Sequence, residues 1–264
     1  MATILDELAA YAKERVTESK KKISFETIRR EAETLPYGSF DFEKALGRQG
    51  LSLICECKKA SPSKGLISPD FPYLEIAKDY EAAGADCISV LTEPKWFLGS
   101  DEYLKEIAKE VNTPCIRKDF TVDEYMIYEA KVLGAKAVLL ICSILDNKQL
   151  EDYLSLCNEL GLSALVEAHD EREIDESLSL NVAPKIIGVN NRNLKDFTVD
   201  TNNSLRLRNM IPKDVLFVSE SGIASPEDAK KAYEMGADAV LVGEMLMRAA
   251  DKKALIQEIK LSCR

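Results

Sequence analysis

Hydrophobic positions follow two rhythms along the chain, and the change comes near residue 50. Before it the spacing is helical: Ile4, Leu5, Leu8, Tyr11, Ala12 and Val16 fall on one face, with charges opposite. A second helical patch covers roughly 25–33 and ends at Pro36 and Gly38. After residue 50, short apolar runs appear at 51–57, 87–91, 115–118, 137–142, 164–167, 186–190, 215–220 and 239–243. Amphipathic segments of helical spacing separate them, among them 73–83, 102–111, 124–133, 148–160 and 226–235. Near-continuous apolar strands alternating with helices predict a parallel sheet with a covered outer face.

A repeat sharpens this. Gly84-Ala85-Asp86, Gly134-Ala135-Lys136, Gly161-Leu162-Ser163 and Gly236-Ala237-Asp238 each stand between a helix and a strand. Their separations of 50, 27 and 75 positions are near multiples of a ~25-residue βα unit. The glycine suits a left-handed helix C-cap. Eight units predict an α/β fold, a (β/α)8 TIM barrel filling 1–264 as one domain, with 1–48 as an N-terminal helical extension. The alternative is a doubly wound sheet, but its GxGxxG fingerprint is absent after the first strand.

Composition narrows the function classes. The 264 residues carry a net charge of −10, with 46% hydrophobic and 30% charged residues. That is globular, and it argues against nucleic acid or anionic membrane as partners. The one histidine, His169, excludes HExxH and Cys₂His₂ zinc sites, and no metal is expected. It sits two residues after Glu167 and is placed in a loop without a role. Seven cysteines, odd in number and without a CxxC, predict reduced buried thiols. The start is charged rather than signal-like, and the longest apolar stretch, 137–142, falls short of the ~20 residues of a membrane span. A soluble cytoplasmic protein is expected, and a monomer.

In such a barrel the active site lies at the C-terminal strand ends. Side chains two apart share a strand face. Ile54, Glu56 and Lys58 therefore go together, as do Ile116 with Lys118, Leu165 with Glu167, and Val218 with Glu220. Assigned to the interior, they gather three carboxylates and two lysines at the mouth, with Arg192 as a further cation. A lone charge at a strand end is an ordinary rim residue. Five phased inward on four strands must be paired or used, and they supply acid and base without histidine.

Two further features suit an anionic ligand. Gly222 follows the seventh run, and Gly243 follows the eighth and opens a short helix, the usual barrel phosphate region. The 60–65 loop is small and polar and reads as a mobile lid bearing a hydroxyl, Ser61, and a cation, Lys64. Glu244 is expected to point outward as a first-turn acid. Trp96, Phe97 and Leu98, with Phe120, Leu139, Leu194 and Leu241, are the expected apolar wall.

These residues stand in recognisable motifs. Glu56-Cys57-Lys58-Lys59-Ala60-Ser61-Pro62-Ser63-Lys64-Gly65 resembles the first-strand motif of indole-3-glycerol-phosphate synthases. So, in order, do Leu91-Thr92-Glu93 with Phe97-x-Gly99, Arg117-Lys118-Asp119-Phe120, Leu165-Val166-Glu167 and Gly188-Val189-Asn190-Asn191-Arg192-Asn193-Leu194. Ser219-Glu220-Ser221-Gly222-Ile223 and Val242-Gly243-Glu244-x-Leu246-Met247-Arg248 complete the set.

The resemblance implies cofactor-free conversion of a phosphosugar-anthranilate, 1-(2-carboxyphenylamino)-1-deoxyribulose 5-phosphate, to indole-3-glycerol phosphate in tryptophan biosynthesis, with loss of CO₂ and water. By the same resemblance Lys118 is the general acid, Lys58 the partner of the substrate carboxylate and a proton donor in dehydration, and Glu167 the base. Glu56 supports the lysines, and Asn190 and Glu220 hold sugar hydroxyls and catalytic groups. Ser61, Ser221, Gly222 and Gly243 hold phosphate. Phe97, Phe120, Leu139, Arg192, Leu194 and Leu241 shape the aromatic pocket. Two other readings stay open: a related isomerase, phosphoribosylanthranilate isomerase, whose chemistry commonly runs on a Cys and an Asp, and a barrel kept as a binding scaffold.

Overall fold

The computed structural model describes residues 3–192 and 198–263. Eight parallel strands run in order round a closed barrel: β1 (Ser52–Cys57), β2 (Cys87–Leu91), β3 (Cys115–Lys118), β4 (Ala137–Ile141), β5 (Ser163–Ala168), β6 (Ile186–Asn190), β7 (Leu216–Glu220) and β8 (Ala239–Val242). β8 pairs back onto β1, with Ser52 opposite Ala239 and Cys55 opposite Val242. Closure excludes the doubly wound alternative, whose sheet keeps free edges. The strand ends differ from the hydrophobic runs by a residue here and there. β5, for example, continues one residue past Glu167, through Ala168.

Strand alternation divides the apolar residues into two layers. Ile54, Ile116, Leu139, Leu165, Val218 and Leu241 fill the barrel interior. Leu53, Cys55, Cys57, Val138, Leu140 and Val166 face the helical shell. That shell includes α4 (Tyr73–Ala83), α5 (Asp101–Glu110), α6 (Glu124–Val132), α7 (Asn147–Leu160), α8 (Glu171–Leu178), α9 (Asn202–Arg208), α10 (Pro226–Glu234), α11 (Glu244–Arg248) and α12 (Lys252–Ser262). The repeated Gly-Ala-Asp element is explained here. Gly84 and Gly236 end helices at φ 91° and 88°, which a side chain would disfavour. Asp86 then accepts from the Leu53 amide at 2.8 Å and Asp238 from the Phe217 amide at 2.7 Å, each capping the neighbouring strand. All seven cysteines are free, and Cys142 alone of them is not fully buried.

Three helices precede the barrel. α1 (Ile4–Lys22) opens on a capping box in which the Thr3 hydroxyl receives the Asp6 amide and the Asp6 carboxylate receives the Thr3 amide. α2 (Phe25–Thr34) packs on α6, with Phe25 and Tyr128 meeting edge-on at 5.8 Å. α3 (Asp41–Leu46) is too short for its periodicity to announce it. It seats Phe42 and Leu46 in the barrel interior and is held to β1 by the Ser52 hydroxyl, which donates toward the Ala45 and Leu46 carbonyls at 3.2 Å each. Among the described residues no helix is long and apolar enough to cross a membrane.

Phe42 is 0% exposed, so its removal leaves a cavity that rigid strands cannot close. Phe42→Ala is expected to cost about 3–5 kcal/mol, read as a lower urea midpoint.

Candidate active site

A cavity of about 790 Å³ opens at the C-terminal strand ends. Glu56, Lys58, Lys118, Glu167 and Asn190 line it, the phase that strand alternation predicts. Lys118 is the hub. Its side chain is 15% exposed, and its Nζ stands 3.3 Å from Glu167 Oε2 and 3.4 Å from Glu220 Oε2. Asn190 Nδ2 donates to Glu167 Oε1 at 3.1 Å. Lys58 pairs with Glu56, whose other oxygen accepts from the Ser89 hydroxyl at 3.2 Å.

Glu220 reaches Lys118, one of the groups it was expected to hold, but from outside the cavity lining. At 2% exposure it backs Lys118 instead of forming part of the cavity wall. The room for it comes from Gly188 in β6, since a Cβ there would collide with the Glu220 carboxylate. A glycine inside a strand is the sequence signal for such an approach.

The two carboxylates beside Lys118 titrate in opposite directions. Burial alone would raise Glu167, but Lys118, His169 and the Asn190 amide outweigh it and bring its pKa down. Burial pushes Glu220 up to about 7; the Glu167 charge adds to the rise and Lys118 opposes it. Glu220 Oε1 is buried with no hydrogen-bond partner among the described residues. Burial also works against the Lys118 charge, but Glu220, Glu167 and Glu56 outweigh it and raise its pKa. Neighbouring groups pushed apart in this way are the signature of an acid–base site.

The walls differ in character. Phe97 and Phe120 face each other with centroids 6.1 Å apart, and Leu139, Leu241 and Arg192 also line the cavity. Leu194 lies outside the described residues. Trp96 does not join this wall; it packs edge-on against Tyr11 of α1 at 5.5 Å, with the Lys95 ammonium 4.2 Å from its ring centre. Leu98 is exposed and absent from the lining, while Ile4 and Leu8 of α1 supply apolar surface instead. Phe97 is aimed by Glu93, a buried carboxylate accepting from the Lys95, Trp96 and Phe97 amides at 2.8–2.9 Å.

Ser61, Ser221, Gly222 and Gly243 also line the cavity, and they follow the neighbouring strands β1, β7 and β8. Ser221 and Gly222 take left-handed backbone, φ 65° and 88°. A Cβ on Gly222 would press on Thr201 at 2.7 Å and Val199 at 2.9 Å. Asn191 fixes this turn, donating to Ser219 Oγ and the Ser221 carbonyl at 3.1 Å each. The 60–65 segment, expected as a mobile lid, folds into a short antiparallel hairpin of Ala60–Ser61 with Gly65–Leu66. Its Lys64 faces Glu244 at 3.8 Å, and Glu244 also pairs with Arg248 at 3.0 Å.

Two contributors escaped the sequence reading. Asp119 lines the cavity between Lys118 and Phe120, gripped by Arg15 of α1 through two bonds of 3.0 and 2.6 Å and by the Thr92 hydroxyl at 2.6 Å. Contacts 104 positions apart leave no local trace. His169 lies in the loop after β5, as expected, yet it stands against Glu167, with Nε2 3.5 Å from Glu167 Oε1.

The sequence profile of the indole-3-glycerol phosphate synthase family matches residues 5–259. The chain belongs to that family. It is 54% identical over 258 residues to the indole-3-glycerol phosphate synthase of Ruminiclostridium cellulolyticum, spanning 97% of this chain and 98% of the relative. The corresponding enzyme of Leuconostoc mesenteroides is 51% identical over 260 residues, with the same coverage. Solved structures share the fold alone. The 3-hexulose-6-phosphate synthase of Salmonella typhimurium superposes with TM-score 0.62 at 15% identity, covering 80% of this chain and 98% of that one. The thiamine phosphate pyrophosphorylase of Pyrococcus furiosus gives 0.60 at 15%, covering 80% and 95%.

The raised Glu220 predicts a pH-dependent stability. The folded chain keeps this proton up to about pH 7, whereas an unfolded glutamate releases it near ~4.3, so Glu220 lowers stability progressively as pH rises between the two. Glu220→Gln is expected to stabilise the fold by about 1–3 kcal/mol at pH 8, with the gain shrinking toward pH 4, followed by thermal unfolding across pH.

Proposed function

We infer that the chain is a carboxy-lyase that closes 1-(2-carboxyphenylamino)-1-deoxyribulose 5-phosphate to indole-3-glycerol phosphate, releasing CO₂ and water. Beside the family membership, the observation that carries this is Lys118 between Glu167 and Glu220 at the foot of a cavity with one aromatic wall and one wall of serine and glycine turns. The substrate needs those same surfaces: an aromatic acid, a carbonyl to be protonated, and a phosphate at the far end.

In this reading the anthranilate ring lies against Phe97, Phe120, Leu139 and Leu241, with Arg192 closing the pocket. The phosphate is held by the Ser61 and Ser221 hydroxyls and by backbone amides around Gly222 and Gly243, where glycine permits close approach. Phosphate and carboxylate are thus captured locally against the chain's overall negative field.

Lys118 protonates the carbonyl oxygen as the ring carbon attacks. It is suited to this as a positioned cation that stabilises charge developing on that oxygen. Lys58, paired with Glu56, meets the substrate carboxylate until CO₂ leaves, then donates a proton as the hydroxyl departs as water. Glu167, held ionised, accepts the proton lost when the indole becomes aromatic. Asn190 fixes Glu167 and reaches the sugar hydroxyls, while Glu220 orients Lys118 from behind. The isomerase reading wants a cysteine beside an aspartate, and no cysteine lines the cavity among the described residues.

Purified protein given this substrate is expected to generate indole fluorescence. Lys118→Ala and Glu167→Gln should each lower kcat by about 10²–10⁴-fold. Near wild-type turnover in Lys118→Ala would remove it as the acid, and isomerase turnover without indole would support the other reading.

A further inference from the structure

We propose that His169 is a positioning residue for Glu167: its imidazolium, held between Glu173 and Glu167, keeps the base ionised and oriented from the side away from Lys118. The proposal rests on the reading of Glu167 as the general base.

The geometry is that of a charge chain. His169 directly follows the last residue of β5, Ala168, and its side chain is 18% exposed where it stands beside Glu167. The His169 amide donates to Glu173 Oε2 at 2.7 Å, anchoring the backbone to α8. The ring Nδ1 stands 3.4 Å from the same carboxylate and 3.4 Å from the Ser143 hydroxyl. The ring Nε2 is buried, makes no hydrogen bond among the described residues, and lies 3.5 Å from Glu167 Oε1. Glu167 thus has Lys118 on Oε2, and Asn190 with His169 on Oε1.

The groups facing the ring come from four elements: Glu167 on β5, Glu173 on α8, Ser143 in the turn after β4, and the more distant Glu220 on β7. Asn203 of α9 holds the His169 carbonyl at 3.1 Å. Lys118 is the nearby opposing cation, on the other oxygen of Glu167. Burial disfavours the imidazolium, but Glu173 and Glu167 outweigh it, so its pKa lies above the ordinary histidine value. His169 does not line the cavity, which separates holding the base from touching substrate.

Coupling between two titrating groups is reciprocal, and this can be read twice. His169 is the only histidine in the chain, so its imidazole gives one NMR signal. In the wild type that signal is expected to titrate above ~6.5. Glu167→Gln and, independently, Glu173→Gln should each lower its midpoint by about one pH unit. Kinetically, His169→Asn should move the acid limb of kcat/KM up by about one unit, a tenfold loss on that limb, with KM unchanged. A His169 midpoint indifferent to Glu167→Gln, or an acid limb unmoved in His169→Asn, would overturn the proposal. If His169→Asn does not fold, His169→Gln supplies the same acid-limb readout. The titration needs no turnover, so a wild type inactive on the substrate would sink the lyase reading while the His169–Glu167 coupling stayed measurable.

Discussion

A lysine ammonium lodged at the mouth of a barrel must have its charge answered there, and most of the site follows from how Lys118 is answered. Desolvation alone would drive such a group toward neutrality. Glu167 and Glu220 reach it from β5 and β7, and Glu56 adds its charge from β1. Each arrives because its strand keeps a strict two-residue phase in a closed barrel. Gly188 clears the space through which Glu220 approaches.

The two carboxylates then part company. Glu167 accepts from the Asn190 amide on Oε1, with the His169 ring 3.5 Å from the same oxygen, and its pKa comes down. Glu220 has an oxygen with no donor among the described residues and holds its proton more tightly. One lysine therefore stands between an ionised carboxylate and a carboxyl that titrates near neutrality, an arrangement that costs stability.

The N-terminal helices belong to this arrangement. α3 plugs the N-terminal end of the barrel, so the interior is packed apolar up to the charged layer. α1 lies against the mouth, where Ile4 and Leu8 form part of the wall and Arg15 grips Asp119, the residue joining Lys118 to Phe120. Trp96, an aromatic that looked destined for the ligand, fastens the β2 loop to α1 instead.

Much of this could be read from the amino acids alone. Strand phase assigns Glu56, Lys118, Glu167 and Glu220 to the interior, and the Gly-Ala-Asp repeat counts out a barrel, because both depend on local periodicities of two and of about 25 residues. Motif resemblance identified the family from the same strand ends. What escaped was decided by contacts distant in sequence. Nothing local says that Arg15 meets Asp119 or that α3 is a plug. Nor does anything local say that His169, in the loop after β5, meets Glu173 and Glu167. The sequence determined which groups face inward; only the closed barrel decided which carboxylate meets which cation, because distance and desolvation exist only once the strands have come together.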